Sequence, residues 1–216
     1  MQTNTLKKRR RRKLRPIFKI LFALIIIFTL IFVLNKVFKA TNTVFEKKLN
    51  LKSVSAPDYV DVELIPKGIA RRGTFLKEIN YIVVHYTGNP NSTAKNNRDY
   101  FAKPDTAVCS HFVIGLDGEI IQCVPLNEKS AASNNRNIDS ISIEVCHIDE
   151  TGKFNEATYN SLVKLVAWLC DNSSLTEKDV IRHYDVTGKQ CPKYFVEHSE
   201  KWEEFKNDVK EELKKY

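Results

Sequence analysis

The first 19 residues of the sequence include no acidic residue, although they hold nine of its 34 basic residues. The remaining 25 basic and 26 acidic residues give the rest of the chain a formal charge of −1, against +8 for the whole. Beyond its N-terminus the chain therefore lacks the basic surface that nucleic-acid binding requires. We expect no nucleic-acid partner.

The sequence also lacks a Cys-x-x-Cys pair and any internal repeat. These absences argue against a disulfide scaffold and against a zinc-finger framework. An odd number of cysteines outside a membrane leaves at least one thiol unpaired or bound to another group. Cys191 is our candidate for that thiol, and one or two bridges among the other four stay open. The five cysteines are Cys109, Cys123, Cys146, Cys170 and Cys191.

A long apolar run follows the basic N-terminus. Ile20–Leu34 is free of charge, and the run extends over Ile17–Phe38 if Lys19 and Lys36 direct their amino groups toward the membrane surface. A transmembrane helix requires about 20 apolar residues. A cleaved signal peptide is the alternative, but the run is long for one, and NKVFKATN offers no small-x-small cleavage site. A buried core helix would show an amphipathic pattern, which is absent. We predict a membrane anchor.

Charge and composition then predict the organisation of the chain. The positive-inside rule places the basic tail in the cytoplasm and the C-terminal part outside, as a single-pass protein of the cell membrane. The hydrophobic fraction of 43% suffices for one domain with a core. We predict a tail at 1–16, an anchor at 17–38, a linker at 39–61 and a domain at 62–216.

Alternating strand and helix patterns predict the fold of this domain. Tyr81–Tyr86 and Ser140–Val145 have the composition of buried strands. Asp117 and Gly118 lie between two further apolar runs, which predicts a hairpin. Phe154–Cys170 has apolar residues at helical spacing, and a last helix begins at Ser199. These elements predict an α/β domain with a central mixed β-sheet flanked by helices. A short helix capped by Asn91 or Ser92 is expected after the first of these strands.

Possible metal ligands occur in two separate stretches. His183, Lys189 and Cys191 lie within RHYDVTGKQCP, which follows a strand-like segment. His85 lies where a predicted buried strand emerges into a loop. Two imidazoles and one thiolate form a catalytic zinc pattern, with three protein ligands and one open position for water. Other residues of suitable chemistry, which spacing does not exclude, are His111, His147, Cys109, Cys123 and Cys146.

Four motifs, IVVHYTGNP, SHFVIGLDGEIIQCVP, NIDSISIEV and RHYDVTGKQCP, occur in this order. Together they resemble the type 2 N-acetylmuramoyl-L-alanine amidases, zinc enzymes that share a fold with peptidoglycan recognition proteins. The resemblance covers about residues 62–198. It implies that His85, His183 and Cys191 bind Zn²⁺. It also implies that the chain acts on peptidoglycan or its muropeptide fragments, at the amide between N-acetylmuramic acid and L-alanine of the stem peptide.

The resemblance further implies two catalytic residues. Glu144 matches the glutamate that serves as general base, and Lys189 matches a lysine that stabilises the developing oxyanion. Ser110 stands where some relatives have a tyrosine before the histidine of the SHF motif, which favours Glu144 as the base. Many members carry a Trp-His pair after the hairpin, where this chain has KSAASNN, a difference that we expect to alter how substrate is held.

Alternative interpretations remain for these residues. Glu144 alone fits a solvated carboxylate at a strand end, Lys189 an exposed loop lysine, and His111 a core histidine with satisfied hydrogen bonds. The main alternative function is a non-catalytic peptidoglycan-binding module on the same fold. A redox or structural membrane protein has only the odd cysteine count in its support. The complete ligand set favours the enzyme, because members that only bind commonly lack the cysteine. We expect a monomer.

Overall fold

The computed structural model describes residues 16–49 and 55–216. The chain divides near residue 44 into an N-terminal and a C-terminal unit. Helix α1 spans Pro16–Leu49, and its segment Phe18–Lys39, with a mean hydropathy of 2.7, is long and apolar enough to cross a membrane. This segment differs by one residue at each end from the predicted anchor. Almost all of the predicted cytoplasmic tail, and residues 50–54 of the predicted linker, lie outside the described residues.

The C-terminal unit is built on a six-stranded sheet in the order β1-β4-β3-β5-β2-β6. Only the β3–β4 pair is antiparallel, so the sheet is mixed, as predicted. The first strand pairs with the fourth and begins inside the predicted linker. The strands are β1 (Val60–Val62), β2 (Tyr81–Tyr86), β3 (Phe112–Ile114), β4 (Ile120–Gln122), β5 (Ser140–Val145) and β6 (Val180–Arg182).

Five helices accompany the sheet, and the last begins at Ser199, as predicted. The helices are α2 (Ala94–Phe101), α3 (Glu156–Ser173), α4 (His183–Thr187), α5 (Lys193–Glu197) and α6 (Ser199–Leu213). Two 3₁₀ helices, Asn134–Ile138 and Glu177–Asp179, lie in the connections.

The N-cap of α2 is Thr93, so our prediction of Asn91 or Ser92 was wrong. Thr93 Oγ1 accepts a hydrogen bond from the Asn96 N–H at 3.1 Å, and the Asn96 side chain accepts one from the Thr93 N–H at 3.2 Å. This reciprocal pair satisfies two amides that the helix leaves free. Ser92 instead donates to the Asn89 carbonyl at 2.8 Å, and Asn91 has a positive φ of 59°. Both residues therefore belong to the preceding turn.

The β3–β4 hairpin forms at the predicted Asp117-Gly118 turn and docks on α3. Gly118 has a φ of 82°, and a Cβ atom there would lie 2.9 Å from the Ala157 carbonyl oxygen. Glycine is thus required both by backbone conformation and by the close approach of the helix. Thr158 and Ser161 of α3 donate to hairpin carbonyls at 2.8 and 2.6 Å, which fixes the hairpin on the helix.

The two faces of the sheet bury different sets of side chains. Ile141, Ile143 and Val145 of β5 belong to the larger core, which α3 and α6 complete. Each such apolar side chain contributes roughly 1.5–3 kcal/mol when fully buried. Because strand side chains alternate, Ser142 and Glu144 point to the opposite face, where α2 covers a smaller cluster. Polar groups of the central strands therefore collect on the more thinly covered side.

Candidate metal centre

Three adjacent parallel strands bring candidate residues to one edge of the sheet. His85 near the end of β2 lies directly opposite Glu144 near the end of β5. On the other side, β2 pairs with β6, and His183 follows the last residue of that strand. The carboxyl ends of neighbouring parallel strands meet at one edge, where open α/β sheets bind their ligands. Two predicted ligands and the predicted base therefore share this edge.

The loop after α4 returns Cys191 to the same place. Gly188 ends α4 with a φ of 78°, and its N–H donates to the Tyr184 carbonyl at 2.8 Å. The Tyr184 N–H in turn donates to the Cys191 carbonyl at 2.9 Å. The chain thus folds back on the short helix that begins with His183, and the Cys191 side chain is buried at the cluster.

The three predicted ligands converge. One ligand atom from each of His85, His183 and Cys191 lies within 4.8 Å of the other two. The two imidazole Nδ1 atoms are 3.1 Å apart, and Cys191 Sγ lies 3.8 Å from His85 Nδ1. Tetrahedral zinc, with ligand distances of about 2.0–2.1 Å to nitrogen and 2.3 Å to sulfur, places such atoms roughly 3.3 and 3.6 Å apart. The donor set and its spacing therefore fit zinc.

The outer nitrogens of both imidazoles have partners that sequence reasoning missed. His85 Nε2 lies 3.0 Å from Ser133 Oγ, and His183 Nε2 donates to Asn134 Oδ1 at 2.9 Å. An amide oxygen only accepts, so His183 carries its hydrogen on Nε2 and leaves the Nδ1 lone pair toward the cluster. The Asn137 side chain holds this turn by accepting the N–H groups of Ala132 and Ser133 at 3.1 and 2.7 Å.

These partners fall in KSAASNN, the stretch that departs from the family pattern. The two pairs join residues 48 and 49 positions apart, and the sequence carries no signal for them beyond a turn rich in asparagine. We expected this stretch to alter how substrate is held. In the structure, its Ser133 and Asn134 side chains form hydrogen bonds with the imidazoles of His85 and His183.

The electrostatics of the cluster favour neutral ligands. Burial, reinforced by His183 and Lys189, holds the pKa of His85 well below its usual value. Burial and Lys189 likewise lower the pKa of His183. Burial and the nearby Glu144 raise the pKa of the Cys191 thiol to about 12. Without a cation the site thus holds two neutral imidazoles and a protonated thiol, and a bound dication would favour the thiolate.

Glu144 lies beside this cluster. Its Oε2 atom is shielded from solvent and makes no hydrogen bond with any residue that the structure describes. Burial raises the pKa of the carboxyl to about 8, and the opposing effect of Lys189 is smaller. Glu144, Lys189 and the three ligands line one cavity of about 430 Å³. The structure therefore brings all five predicted site residues together.

The other candidate ligands do not join this group of three. His111 accepts from the Ser142 N–H at 3.0 Å and donates from Nε2 to the Glu128 carbonyl at 2.9 Å, as expected of a core histidine. His147 stacks on Tyr86 with ring centroids 5.1 Å apart. All five cysteines are free and buried. Within residues 16–49 and 55–216, His85, His183 and Cys191 form the one group of three with metal-ligand spacing.

Fold and site together give an α/β domain with a cluster of two histidines and one cysteine that could hold a metal ion, the ligand pattern of hydrolytic zinc enzymes. The profile of the family described as N-acetylmuramoyl-L-alanine amidase matches residues 75–194. This match spans more than half of the chain and includes His85, Glu144, His183, Lys189 and Cys191. The chain belongs to this amidase family, as the sequence motifs predicted.

Named relatives agree with this assignment. The chain is 32% identical over 164 residues to the N-acetylmuramoyl-L-alanine amidase BlyA of Bacillus subtilis (strain 168), covering 66% of this chain and 44% of BlyA. It is also 32% identical to CwlL of Bacillus licheniformis, covering 64% of this chain and 43% of that protein. The chain thus spans under half the length of these relatives. The catalytic domain of XlyA superposes with a TM-score of 0.61 at 28% identity, covering 69% of this chain and 98% of that domain.

Proposed function

We propose that this chain is a zinc-dependent N-acetylmuramoyl-L-alanine amidase that hydrolyses peptidoglycan. The observation that carries the proposal is the convergence of His85, His183 and Cys191 beside Glu144, whose Oε2 atom has no hydrogen-bond partner among the described residues. A module that only binds the wall has no need of three converging ligands and an adjacent proton acceptor. The names of the relatives support the same reaction.

His85, His183 and Cys191 would hold the zinc ion through two Nδ1 atoms and one thiolate. When bound, the ion lowers the pKa of water and polarises the scissile carbonyl. Ser133 and Asn134 orient the imidazoles through their outer nitrogens, as partners of metal-bound histidines do in other proteins. The protein thereby supplies three ligands and the hydrogen bonds that orient the two imidazoles.

Glu144 is the proton-transfer group of this proposal. It accepts a proton from the attacking water as the new carbon–oxygen bond forms. It then donates this proton to the leaving nitrogen as the amide carbon–nitrogen bond breaks. The products are a muramic carboxylate and a peptide with a free α-amine. The pKa of Glu144 is about 8 without metal, and the carboxylate form that accepts the proton would be favoured beside a bound dication.

Lys189 supplies positive charge to the same cavity. Its ammonium is the group that we assign to the oxyanion that develops on the scissile carbonyl. Removal of such a donor typically costs about 10²–10³ in rate. The effect of Lys189 on the pKa values of His85 and Glu144 supports its placement near the reacting groups.

The apolar segment of α1 supports a membrane location. Phe18–Lys39 is long enough to span a bilayer, and the basic residues before it favour a cytoplasmic N-terminus. The amidase domain then faces outward, where peptidoglycan lies. We propose a single-pass protein of the cell membrane that acts as a monomer.

The direct test incubates the full chain, in detergent, with purified peptidoglycan and follows release of stem peptides by mass spectrometry. The metal-loaded protein should release peptides with a free N-terminal alanine, and a chelator should abolish the release. Cys191→Ala should lose both zinc and activity. Cys170→Ala, which removes a buried thiol of α3, is the matched control and should retain both. Full activity of metal-free Cys191→Ala would contradict the proposal.

A further inference from the structure

A cavity of about 380 Å³ lies where the start of α3 meets α5 and α6. We call it the aromatic cavity, because Phe154, Tyr159, Tyr194 and Phe195 line it. Ligand sites in proteins typically have volumes of about 300–1,000 Å³. Among the described residues, none that lines this cavity also lines the cavity of the metal centre. Both cavities can therefore be occupied at the same time.

Two connections bring the aromatic cavity to the same edge of the sheet as the metal centre. The segment 146–155 leads from the end of β5 to the start of α3, and α5 begins two residues after Cys191. Lys193 Nζ donates to the Glu150 carbonyl at 2.7 Å, which joins these two connections. A long polymer bound in the aromatic cavity would thus pass close to the metal centre.

The inner surface of the cavity is apolar and preformed. Phe154 and Phe195 are 6% and 2% exposed, and their rings meet edge to face with centroids 5.4 Å apart. Tyr159 and Tyr194 are only partly buried, and the Tyr159 hydroxyl donates to Asp208 at 2.6 Å. The cavity therefore combines a buried aromatic floor with two tyrosine rings that a ligand can contact.

The charges at the opening of the cavity are balanced. Lys201 and Glu204 form an ion pair at 2.6 Å. Lys153 Nζ lies 5.8 Å from the centre of the Tyr194 ring, and neither Lys153 nor Glu156 has an ion-pair partner among the described residues. Two cations and two carboxylates give no net preference for an anionic or a cationic ligand. They do offer hydrogen-bond donors and acceptors to a neutral polar one.

We propose that the aromatic cavity binds an uncharged N-acetylated sugar of a glycan strand. A pyranose ring presents C–H groups on its faces, which stack on aromatic rings, and hydroxyl groups at its edge, which bind polar side chains. The cavity has the matching arrangement of aromatic surface and polar opening. This inference rests on the proposed function, because peptidoglycan is the polymer that would supply the sugar. The chain would then hold the glycan at a place separate from the one where it hydrolyses the amide.

The test is calorimetry of the full chain, in detergent, with a β-1,4-linked trimer of N-acetylglucosamine. The wild type should bind the trimer, and Tyr194→Ala should raise the Kd about 10-fold, because it removes an aromatic surface. Tyr194→Phe retains the ring and should stay close to the wild type. Glu156→Ala, at an exposed position, should also raise the Kd about 10-fold, because it removes a charged hydrogen-bond acceptor.

Tyr100→Ala is the matched control, because Tyr100 is a half-exposed tyrosine of α2, on the other face of the sheet. It should keep the wild-type Kd. Failure of the wild type to bind the trimer, or wild-type Kd values for both Tyr194→Ala and Glu156→Ala, would overturn the proposal. A dimer of the chain that Tyr194→Ala dissociates in analytical ultracentrifugation would also overturn it, because a second copy would then occupy the cavity.

The trimer carries no peptide, so its binding does not depend on hydrolysis of the amide. If the trimer binds as expected but the wild type releases no stem peptide from peptidoglycan, the amidase function fails and the sugar site stands. If stem peptides are released but the trimer does not bind, the sugar site fails and the amidase function stands.

Discussion

Two buried histidines of the same domain, His85 and His111, are engaged in different ways. His111 has a hydrogen-bond partner of the right polarity on each ring nitrogen. His85 has Ser133 on its outer nitrogen, but its Nδ1 faces a second imidazole and a thiol. Buried polar groups are costly unless they are satisfied. The ring nitrogens of His111 both have suitable hydrogen-bond partners, whereas the partners of His85 Nδ1 are two further groups that could bind a cation.

The surroundings extend this contrast. Near His111, the hydroxyl groups of Ser130 and Ser142 lie 2.7 Å apart, and Glu128 is paired with Arg71. Near His85, the Oε2 atom of Glu144 has no hydrogen-bond partner within residues 16–49 and 55–216. A closed polar network stabilises a fold, while an open one with perturbed pKa values is typical of a functional site. The comparison therefore favours a structural role for His111 and supports the proposed metal-binding role of His85.

The largest effect is expected when each of the two histidines, His85 and His111, is replaced by glutamine. His85→Gln should abolish stoichiometric zinc binding, because it removes one of three protein ligands. His111→Gln should retain zinc and lower the free energy of unfolding by about 1–3 kcal/mol, because it disturbs a buried hydrogen-bond network. Metal analysis after dialysis and denaturant titration measure the two properties. Loss of zinc in His111→Gln with retention in His85→Gln would reverse the assignment.

The next effect concerns the carboxyl beside the open cluster. Glu144→Gln should keep the zinc ion but lower the rate of peptide release by roughly 10²–10⁴, the usual contribution of a positioned proton-transfer group. Glu150→Gln, at an exposed site in the following turn, should leave the rate unchanged. Steady-state assays with zinc quantified in each sample provide the measurement. A wild-type rate for Glu144→Gln would move the proton transfer to another group.

A smaller effect is expected at the outer shell of the cluster. Asn134→Ala removes the acceptor of the His183 N–H and should weaken zinc binding roughly 10–100-fold. Asn134→Asp retains an acceptor and should bind zinc well, while Asn135→Ala, one residue further on, serves as the exposed control. Competition with a chromophoric chelator measures these affinities. Equal affinities for Asn134→Ala and Asn135→Ala would show that the contact does not orient the ligand.

The last comparison concerns the pH dependence of stability in the metal-free protein. The pKa of Glu144 is about 8 in the folded chain, against 4.5 ordinarily, so the folded state retains a proton that the unfolded state releases. Below pH 4.5 the carboxyl is protonated in both states, and the folded state has its full stability. As the pH rises from 4.5 toward 8 the unfolded state alone releases the proton, so the free energy of unfolding falls. The free energy of unfolding of the wild type, relative to Glu144→Gln, should fall by up to about 1.4 kcal/mol per pH unit in this window. A pH-independent difference would contradict the raised pKa.

Local sequence patterns were sufficient for much of the fold. The buried strands β2 and β5 and the Asp117-Gly118 hairpin follow from apolar runs and turn chemistry, which act over a few residues. Strand β1 was missed because three residues with one buried side chain carry too little pattern. The cap of α2 was misplaced because Asn91, Ser92 and Thr93 can all cap a helix, and only the turn geometry selects among them.

The candidate site likewise contains residues that the sequence predicted and residues that it did not. The motifs and the family resemblance pointed to His85, His183 and Cys191, and the structure brings them together. Ser133 and Asn134 could not be predicted, because their contacts depend on how a distant turn packs against the strand ends.

X-ray absorption spectroscopy at the zinc edge of the loaded full chain tests the central claim most directly. The account predicts one sulfur at about 2.3 Å and two imidazole nitrogens at about 2.0–2.1 Å, with the sulfur contribution lost in Cys191→Ala and kept in Cys170→Ala. A zinc spectrum without sulfur, or one that Cys191→Ala leaves unchanged, would contradict it.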